Sequence, residues 1–283
     1  MGNGLHEWPL ILFTVLGQSI AGALIVTGLA WLSTDDKLQK QRIVNAMLAL
    51  WVLMGLGFLA SMMHMGSPLR AFNSMNRVFS SSLSNEVLFG SLFFALGGLW
   101  WLLAALKKMP EGLGKIWLLV TMAMGLLFVW AMTRVYMIST VPTWNTLHTT
   151  IGFFMTAFVV GPILGTLLLR IAKFPCHSGR LALISIVAYV VTIASVLVQS
   201  GEIALIATSV QSASALVPDF GTLQMVRLVA TSLGLMLWIL PLMKQNQPSV
   251  ISLFIGTLLV LFGELIGRGL FYGLHMTVGM AVA

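Results

Sequence analysis

The sequence predicts an all-α integral membrane protein with eight transmembrane helices and both termini outside. Of its 283 residues, 58% are hydrophobic and only 8% are charged, whereas soluble domains average about 25% charged residues. The apolar residues also gather in eight runs near the ~20 residues that a helix needs to cross a bilayer. A soluble fold of this size could not hide so much apolar surface. The composition therefore excludes a soluble enzyme and a nucleic-acid-binding module.

The eight apolar runs form one polytopic domain, 1–283. They lie at 8–32, 43–64, 86–106, 116–138, 147–170, 181–200, 223–243 and 249–270. The spans of a membrane β-barrel would be shorter and would alternate apolar with polar residues, so helices are favoured. Two small-residue motifs, Gly161-x-x-x-Gly165 and Gly263-x-x-x-Gly267, predict close packing between helices.

The basic residues alternate between the two sides of the predicted bundle. The connections after spans 1, 3, 5 and 7 hold most of them: Lys37, Lys40, Arg42, Lys107, Lys108, Lys115, Arg170, Lys173, Arg180 and Lys244. The other side holds Arg70, Arg77, Arg134, Arg227 and Arg268. Because basic loops stay on the cytoplasmic side, this pattern puts both termini outside. Basic cytoplasmic loops also account for the formal net charge of +7, so the charge does not indicate a nucleic-acid-binding protein.

Ionisable residues inside the apolar runs gather near the outer face. His64 closes span 2 and Glu86 opens span 3. Glu264 lies roughly 22 Å along span 8 at 1.5 Å per residue, and Arg268 follows at i+4, so the two can pair. A charge at membrane depth costs on the order of 3 kcal/mol unless it is paired. The pair therefore either locks helix packing or belongs to a functional site.

Further polar residues extend this outer cluster. They are Arg70, Arg77, Arg134, Tyr272 and His275. Oxidation of a quinol suits such a cluster, because it needs an apolar slot, a base on the quinol hydroxyl and a proton exit. Histidine titrates near neutrality and suits the base, and a membrane-edge carboxylate suits the exit. For His64, Tyr272 and His275, an ordinary hydrogen-bonded packing role is the alternative.

The histidines and the cysteine limit which cofactors this chain can hold. The single cysteine, Cys176, excludes a Cys-x-x-Cys haem attachment and a self-contained iron–sulfur cluster. A metal-site motif such as His-Glu-x-x-His is missing from the sequence. One outer haem between His64 and His148 stays open as an alternative, but a haem near the inner face would lack a pair of histidines. We therefore expect no haem, metal or cluster in this chain.

Long sequence stretches resemble one family over essentially the whole chain. They are LWVLMGLGFLASMMHMGSPLRAFNSMNRV at 50–78, LSNEVLFGSLFFALGG at 83–98 and GELIGRGLFYGLHMTVGMAVA at 263–283, with HEWPL at 6–10, VPTW at 141–144 and SALVPDFG at 214–221. In order and spacing they resemble the membrane anchor subunit of anaerobic dimethyl sulfoxide reductase. The resemblance covers that enzyme and its close selenate-reductase-like paralogue alike, so the terminal acceptor stays open.

This resemblance implies a role in anaerobic respiration. It implies a multi-pass protein of the bacterial inner membrane that binds menaquinol as its substrate and anchors two periplasm-facing partners. These partners are an iron–sulfur subunit with four [4Fe–4S] clusters and a molybdopterin catalytic subunit. The family's quinol-linked histidine and glutamate fall on His64, within MMHMGSP, and on Glu86, within SNEV. The chain would oxidise quinol without haem and would supply no catalytic residue to the reductase reaction.

Two other classes of protein compete with this interpretation. A secondary transporter would need broken helices and charges near the membrane midplane. A structural tether would hold the enzyme at the bilayer without a quinol site of its own. The outer loops 65–85 and 201–222 are the expected docking surfaces. Arg70 and Arg77 of the first loop can pair with carboxylates of a partner. The second loop contains Glu202 and Asp219, and an ordinary solvated loop is the alternative there.

Overall fold

In the part of the chain that this computed structural model describes, eight long helices are each apolar enough to cross a membrane. The structure describes residues 2–63, 73, 75–176, 178–207 and 212–277. The helices are α1 (Trp8–Ser33), α2 (Lys37–Met63), α3 (Ser82–Ala105), α4 (Glu111–Tyr136), α5 (Leu147–Ile171), α6 (Ser178–Leu205), the short α7 (Ala213–Leu216), α8 (Phe220–Met243) and α9 (Val250–Gly273), preceded by a 3₁₀ helix (Gly2–Glu7). Their backbone groups are paired within each helix, as a bilayer requires.

The long helices agree with the predicted spans in number and order, but several are longer than predicted. Helix α2 begins at Lys37 and α6 ends at Leu205, whereas hydropathy gave 43 and 200. The added turns carry polar residues such as Lys40 and Glu202. Hydropathy marks only the part of a helix that lies in hydrocarbon, whereas the backbone stays helical beyond it.

Helices α1 and α5 form the centre of the bundle. Helix α1 packs against α2, α4, α5 and α9, and α5 packs against α6 and α9 as well. Most residues of both helices are buried, whereas α3 and α6 turn much of their surface outward. We call the end of the bundle at which α3 begins the Glu86 end, and the opposite end the Lys40 end.

Glycines allow α1 and α5 to touch backbone to backbone. A Cβ atom added to Gly161 would lie 2.6 Å from the Cα of Gly22, and one added to Gly165 would lie 2.6 Å from the Cβ of Val26. Real Cβ atoms do not approach so closely, so each glycine is required where it stands. The prediction of close packing at this motif is confirmed.

Gly161→Ala is expected to destabilise the protein, because the new methyl group would force the two central helices apart. Overpacking of a well-packed core costs about 1–3 kcal/mol. Gly152→Ala, on the same helix, is the matched control, since a Cβ there meets nothing within 4 Å. Thermal unfolding of both variants in detergent measures the difference. Equal melting temperatures would contradict the contact between α1 and α5.

A lysine ties three helices together at the Lys40 end. The Nζ of Lys40 lies 2.7 Å from Oε1 of Glu111, at the start of α4, and 4.7 Å from the ring centre of Trp31, on α1. Lys115 lies 3.5 Å from the same carboxylate oxygen. The Glu111 side chain remains 60% exposed, so this cluster belongs to the surface and not to a buried site.

The connection between α6 and α8 folds back onto the bundle. The N–H of Ala213 donates to the carbonyl of Ile206 at 2.9 Å. Val217 and its neighbours bury against Ile266 and Leu270 of α9 in a small second core. The described part of predicted loop 201–222 is therefore largely structured, because α6 extends into it and its apolar residues have a partner.

Candidate functional site at the Glu86 end

Glu86 lies one turn inside α3 and points into the bundle. Only 5% of the residue is exposed, and its Oε1 has no hydrogen-bond partner among the residues that the structure describes. The preceding Asn85 uses its Oδ1 to accept from the N–H of Phe79 at 2.6 Å, which fixes how the chain enters the helix. A carboxylate that is buried with a free oxygen is costly to keep unless a ligand or a proton uses it.

His64 and Arg70 lie outside the described residues. Helix α2 ends at Met63, which is largely exposed. The described part of α2 contacts α3 through Phe58 and Phe94, whose ring centres lie 5.6 Å apart. The contact between α2 and α3 on the way to Glu86 is therefore apolar and aromatic.

Two tyrosines meet at the Glu86 end of the bundle. The phenol oxygens of Tyr136, at the end of α4, and Tyr272, on α9, lie 2.6 Å apart. Both residues are buried, and α4 packs against α3, the helix that carries Glu86. The sequence singled out Tyr272 but not Tyr136, which is its hydrogen-bond partner.

Aromatic side chains enclose the tyrosine pair. The ring of Trp144 stacks on His275 with centres 4.6 Å apart, and its Nε1 donates to the carbonyl of Phe271 at 2.7 Å. Thr143 donates to the carbonyl of Leu274 at 2.6 Å. His275 is exposed and follows the end of α9, so its stacking on Trp144 closes this part of the bundle.

Glu264 pairs with Arg227, and the predicted pair with Arg268 is wrong. The Nη2 of Arg227, on α8, lies 3.3 Å from both carboxylate oxygens of Glu264. The hydroxyl of Thr156, on α5, donates to Oε2 at 2.7 Å. The i+4 rule considers one helix alone, whereas α8 is the closest neighbour of α9 and brings an arginine to the same carboxylate.

Arg268 uses its guanidinium to join α9 to two other helices. Its Nη2 donates to Oε1 of Gln18, on α1, at 2.7 Å and approaches the hydroxyl of Thr156, on α5, at 3.4 Å. The guanidinium carbon lies 3.6 Å from the ring centre of Phe153, which is a cation–π contact. Thr156 therefore links Arg268 to Glu264 through one hydroxyl group.

The second glycine motif makes room for these charges. A Cβ atom on Gly267 would overlap the guanidinium of Arg227, and one on Gly263 would lie 2.9 Å from the carbonyl oxygen of Arg227. Close packing at this motif is again confirmed. This motif does more than let two helices approach, because the guanidinium of Arg227 occupies the space beside Gly267.

A polar cavity of about 50 Å³ adjoins the charged cluster between α5, α6, α8 and α9. Its polar lining includes His148, Gln199, Gln224, Arg227, Glu264 and Arg268. One water needs roughly 10–15 Å³ of such volume, so about four could fit. The Oε1 of Gln224 is buried and has no protein partner in the described part of the chain, so water is its natural partner.

Both ring nitrogens of His148 are engaged at the edge of this cavity. Nδ1 lies 2.8 Å from the hydroxyl of Ser195, and Nε2 lies 3.2 Å from Oε2 of Glu202. A haem iron would have to displace one of these contacts. Within the described ranges, no three His, Cys, Asp or Glu side chains come together to hold a metal ion.

Two of the predicted cluster members, Arg77 and Arg134, are exposed. The Nη1 of Arg134 makes a weak contact with the sulfur of Met137 at 3.9 Å. Their place in the polar cluster stays a prediction.

Gln18, Thr156 and Arg227 are site residues that the sequence analysis did not assign. Gln18 interrupts an apolar run in α1, and Arg227 is a lone charge one third of the way along α8. A polar residue in such a run needs a partner. That signal was available, although the identity of the partner was not.

Comparisons with known proteins agree on one family. Residues 1–274 match the family described as DMSO reductase anchor subunit (DmsC). The protein is 54% identical over 283 residues to "Anaerobic dimethyl sulfoxide reductase chain YnfH" of Escherichia coli K12, with 100% of both sequences covered. A second anaerobic dimethyl sulfoxide reductase subunit of that strain is also 54% identical, over 286 residues, again with 100% of both covered. For the corresponding subunit of Haemophilus influenzae the identity is 39% over 284 residues, covering 100% of this protein and 99% of the relative.

Proposed function

This chain belongs to the DMSO reductase anchor-subunit family, and from that membership we propose that it oxidises menaquinol for a molybdopterin reductase complex. The chain holds the complex at the bacterial inner membrane. Quinol electrons pass to an iron–sulfur partner with four [4Fe–4S] clusters and then to the catalytic subunit. Both partners dock on the periplasmic face, which is the Glu86 end.

The observation that carries this proposal is the environment of Glu86. Its carboxylate is buried, and one oxygen has no hydrogen-bond partner in the described chain. Quinol oxidation needs a group at this depth that receives a proton, and a carboxylate suits that role when it is kept from water. A purely structural glutamate would be expected to have both oxygens satisfied.

His64 follows Met63, the last described residue of α2, and supplies the second half of the site. The imidazole accepts a hydrogen bond from one quinol hydroxyl, while the ring of the quinol lies in the aromatic seam between α2 and α3. Menaquinol enters from the lipid, because this seam lies at the periphery of the bundle. The site therefore needs no aqueous channel for its substrate.

Docking of the partners uses the exposed polar residues of the Glu86 end. Arg77 and Asp219 are exposed in the connections before α3 and α8. Both lie in the loops 65–85 and 201–222, which connect helices at this end. An arginine fork and a carboxylate offer complementary contacts to a partner surface. Arg70 lies in the same connection as Arg77.

Quinol oxidation is favoured over transport and over simple tethering. The buried charges Arg227 and Glu264 lie in the half of the bundle nearer the Glu86 end, and Pro162 does not interrupt α5. A transporter would place charges and broken helices near the midplane. A tether would have no use for a buried Glu86 oxygen that has no hydrogen-bond partner among the described residues.

Binding of a fluorescent quinol analogue to the purified complex tests the proposal. The wild-type complex is expected to quench the analogue in a saturable titration. His64→Ala is expected to weaken the affinity about tenfold, since a hydrogen bond to a buried ligand group is worth about 1–2 kcal/mol. His6→Ala, at an exposed position of the same end, is the matched control and should bind like wild type.

The control reaction separates loss of the site from loss of the complex. A reduced viologen feeds electrons directly to the partner subunits, so its oxidation should stay intact in His64→Ala. A wild-type complex that fails to bind the analogue, while it oxidises viologen normally, would favour the tether. Loss of both reactions in the variant would indicate failed assembly.

A further inference from the structure

We propose that the polar cavity between α5, α6, α8 and α9 is a water-filled proton outlet for Glu86. The route runs through the tyrosine pair Tyr136–Tyr272 and the Glu264 cluster to the surface at His148. This inference deepens the proposed function and rests on it. It assigns a role to buried polar groups that quinol binding alone does not use.

The first leg is the tyrosine pair. The two phenol oxygens are 2.6 Å apart and connect α4 to α9. Helix α3, which carries the buried Glu86, packs against α4, which carries Tyr136. A phenol can accept a proton on its oxygen while it donates its own, so neither tyrosine has to become charged for long. The pair thus leads from α4, the neighbour of α3, to α9 through an aromatic part of the bundle.

The second leg is the hydrogen-bonded cluster around Thr156. Arg268 lies one helical turn before Tyr272, and its Nη2 approaches the Thr156 hydroxyl at 3.4 Å. That hydroxyl donates to Glu264 at 2.7 Å. Arg227 and Arg268 both carry positive charge, so a proton arriving here is repelled unless a carboxylate receives it. Glu264 is the acid among the residues that line the cavity.

The third leg is the cavity itself. Its volume of about 50 Å³ has room for about four waters. The buried Oε1 of Gln224, which has no partner among the described side chains and backbone, orients them. Water in a polar cavity of this kind forms a hydrogen-bonded chain, and such a chain conducts protons without the movement of larger ions.

The outlet ends at His148. Its ring bridges Ser195 at 2.8 Å and Glu202 at 3.2 Å, and the Glu202 side chain is 52% exposed. An imidazole ring can accept a proton at one nitrogen and donate one from the other. The groups that face it from α6 are thus a hydroxyl and a surface carboxylate, which pass the proton to bulk water.

The chemical balance of the step is complete. Each quinol loses two electrons and two protons and becomes a quinone. The electrons leave to the iron–sulfur partner, and the protons leave through Glu86 and the outlet. Tyr136, Tyr272 and Glu264 return to their starting states after each proton has passed, so they are relay residues and are not consumed.

Tyr272→Phe in the purified complex tests the outlet, with quinol-driven turnover measured in H2O and in D2O. We expect turnover to fall on the order of tenfold, less than the roughly 10²-fold or more for loss of a catalytic base, because water partly replaces the hydroxyl. The solvent isotope effect should rise, since proton transfer becomes rate-limiting. Glu264→Gln should behave in the same way. Analogue affinity and viologen oxidation should remain at the wild-type level.

Tyr189→Phe is the matched control, because Tyr189 is the third tyrosine of the protein and bonds to Leu228 and Ser232 outside the route. Wild-type turnover and isotope effect in both Tyr272→Phe and Glu264→Gln would overturn the outlet while leaving the proposed function intact. Loss of analogue binding in Tyr272→Phe would also overturn it, since Tyr272 would then belong to the quinol pocket. Failure of the wild-type complex to bind the analogue would refute the proposed function instead.

Discussion

Glu86→Gln is expected to abolish quinol-driven turnover and to leave viologen oxidation intact. Glutamine keeps the size and polarity of the side chain but cannot take up a proton. Loss of a positioned proton acceptor lowers rates by about 10²–10⁴-fold. The effect should fall on the maximal rate more than on the affinity for the analogue, because the amide still offers hydrogen bonds to a bound quinol.

Glu111→Gln provides the matched control for this experiment. Glu111 is partly exposed and pairs with Lys40 at the opposite end of the bundle, far from any quinol. Its replacement should change neither reaction. Near-normal quinol turnover in Glu86→Gln would remove Glu86 from the scheme as the proton acceptor.

Arg227→Leu is expected to cause the largest loss of stability. The substitution leaves the Glu264 carboxylate buried, with only 3% of the residue exposed, and without its counter-charge. Removing one partner of a buried ion pair costs about 3–5 kcal/mol. Thermal unfolding of the protein in detergent measures this cost. Arg134→Leu, at an exposed arginine, should change the melting temperature little.

The double variant Arg227→Leu with Glu264→Leu tests whether the lost stability comes from leaving the Glu264 carboxylate without its partner. Replacing both charges by apolar groups removes the uncompensated carboxylate, so most of the lost stability should return. Thr156 and Gln18 still offer hydrogen bonds to Arg268. A double variant that is less stable than Arg227→Leu would mean that Glu264 contributes through contacts other than Arg227.

The number and order of the helices could be predicted from the sequence, because they follow from the apolar runs along the chain. The length of an apolar run gives the number of helices, and the two glycine motifs identify positions of close approach. Both properties are local. Glu86 and Glu264 could also be singled out, since a carboxylate in an apolar run is unusual wherever the chain folds.

The pairing within the site could not be predicted because it depends on which helix faces meet. Glu264 has Arg268 one turn away on its own helix, yet it bonds to Arg227 of α8. Gln18 lies 250 residues from the guanidinium that it contacts. The packing of α1, α5, α8 and α9 decides these contacts, and no spacing in the sequence encodes that packing.

The touching backbones of α1 and α5 have a consequence for the membrane voltage. Between Gly22 and the Lys40 end, polar side chains such as Thr27 and Thr166 bond back to carbonyls of their own helices, and the long helices carry no Asp, Glu, Lys or Arg there until their terminal turns. This half of the bundle is therefore an electrical insulator. In the proposed scheme, the protons released at the Glu86 end therefore stay on that side, and quinol oxidation does not dissipate the membrane potential.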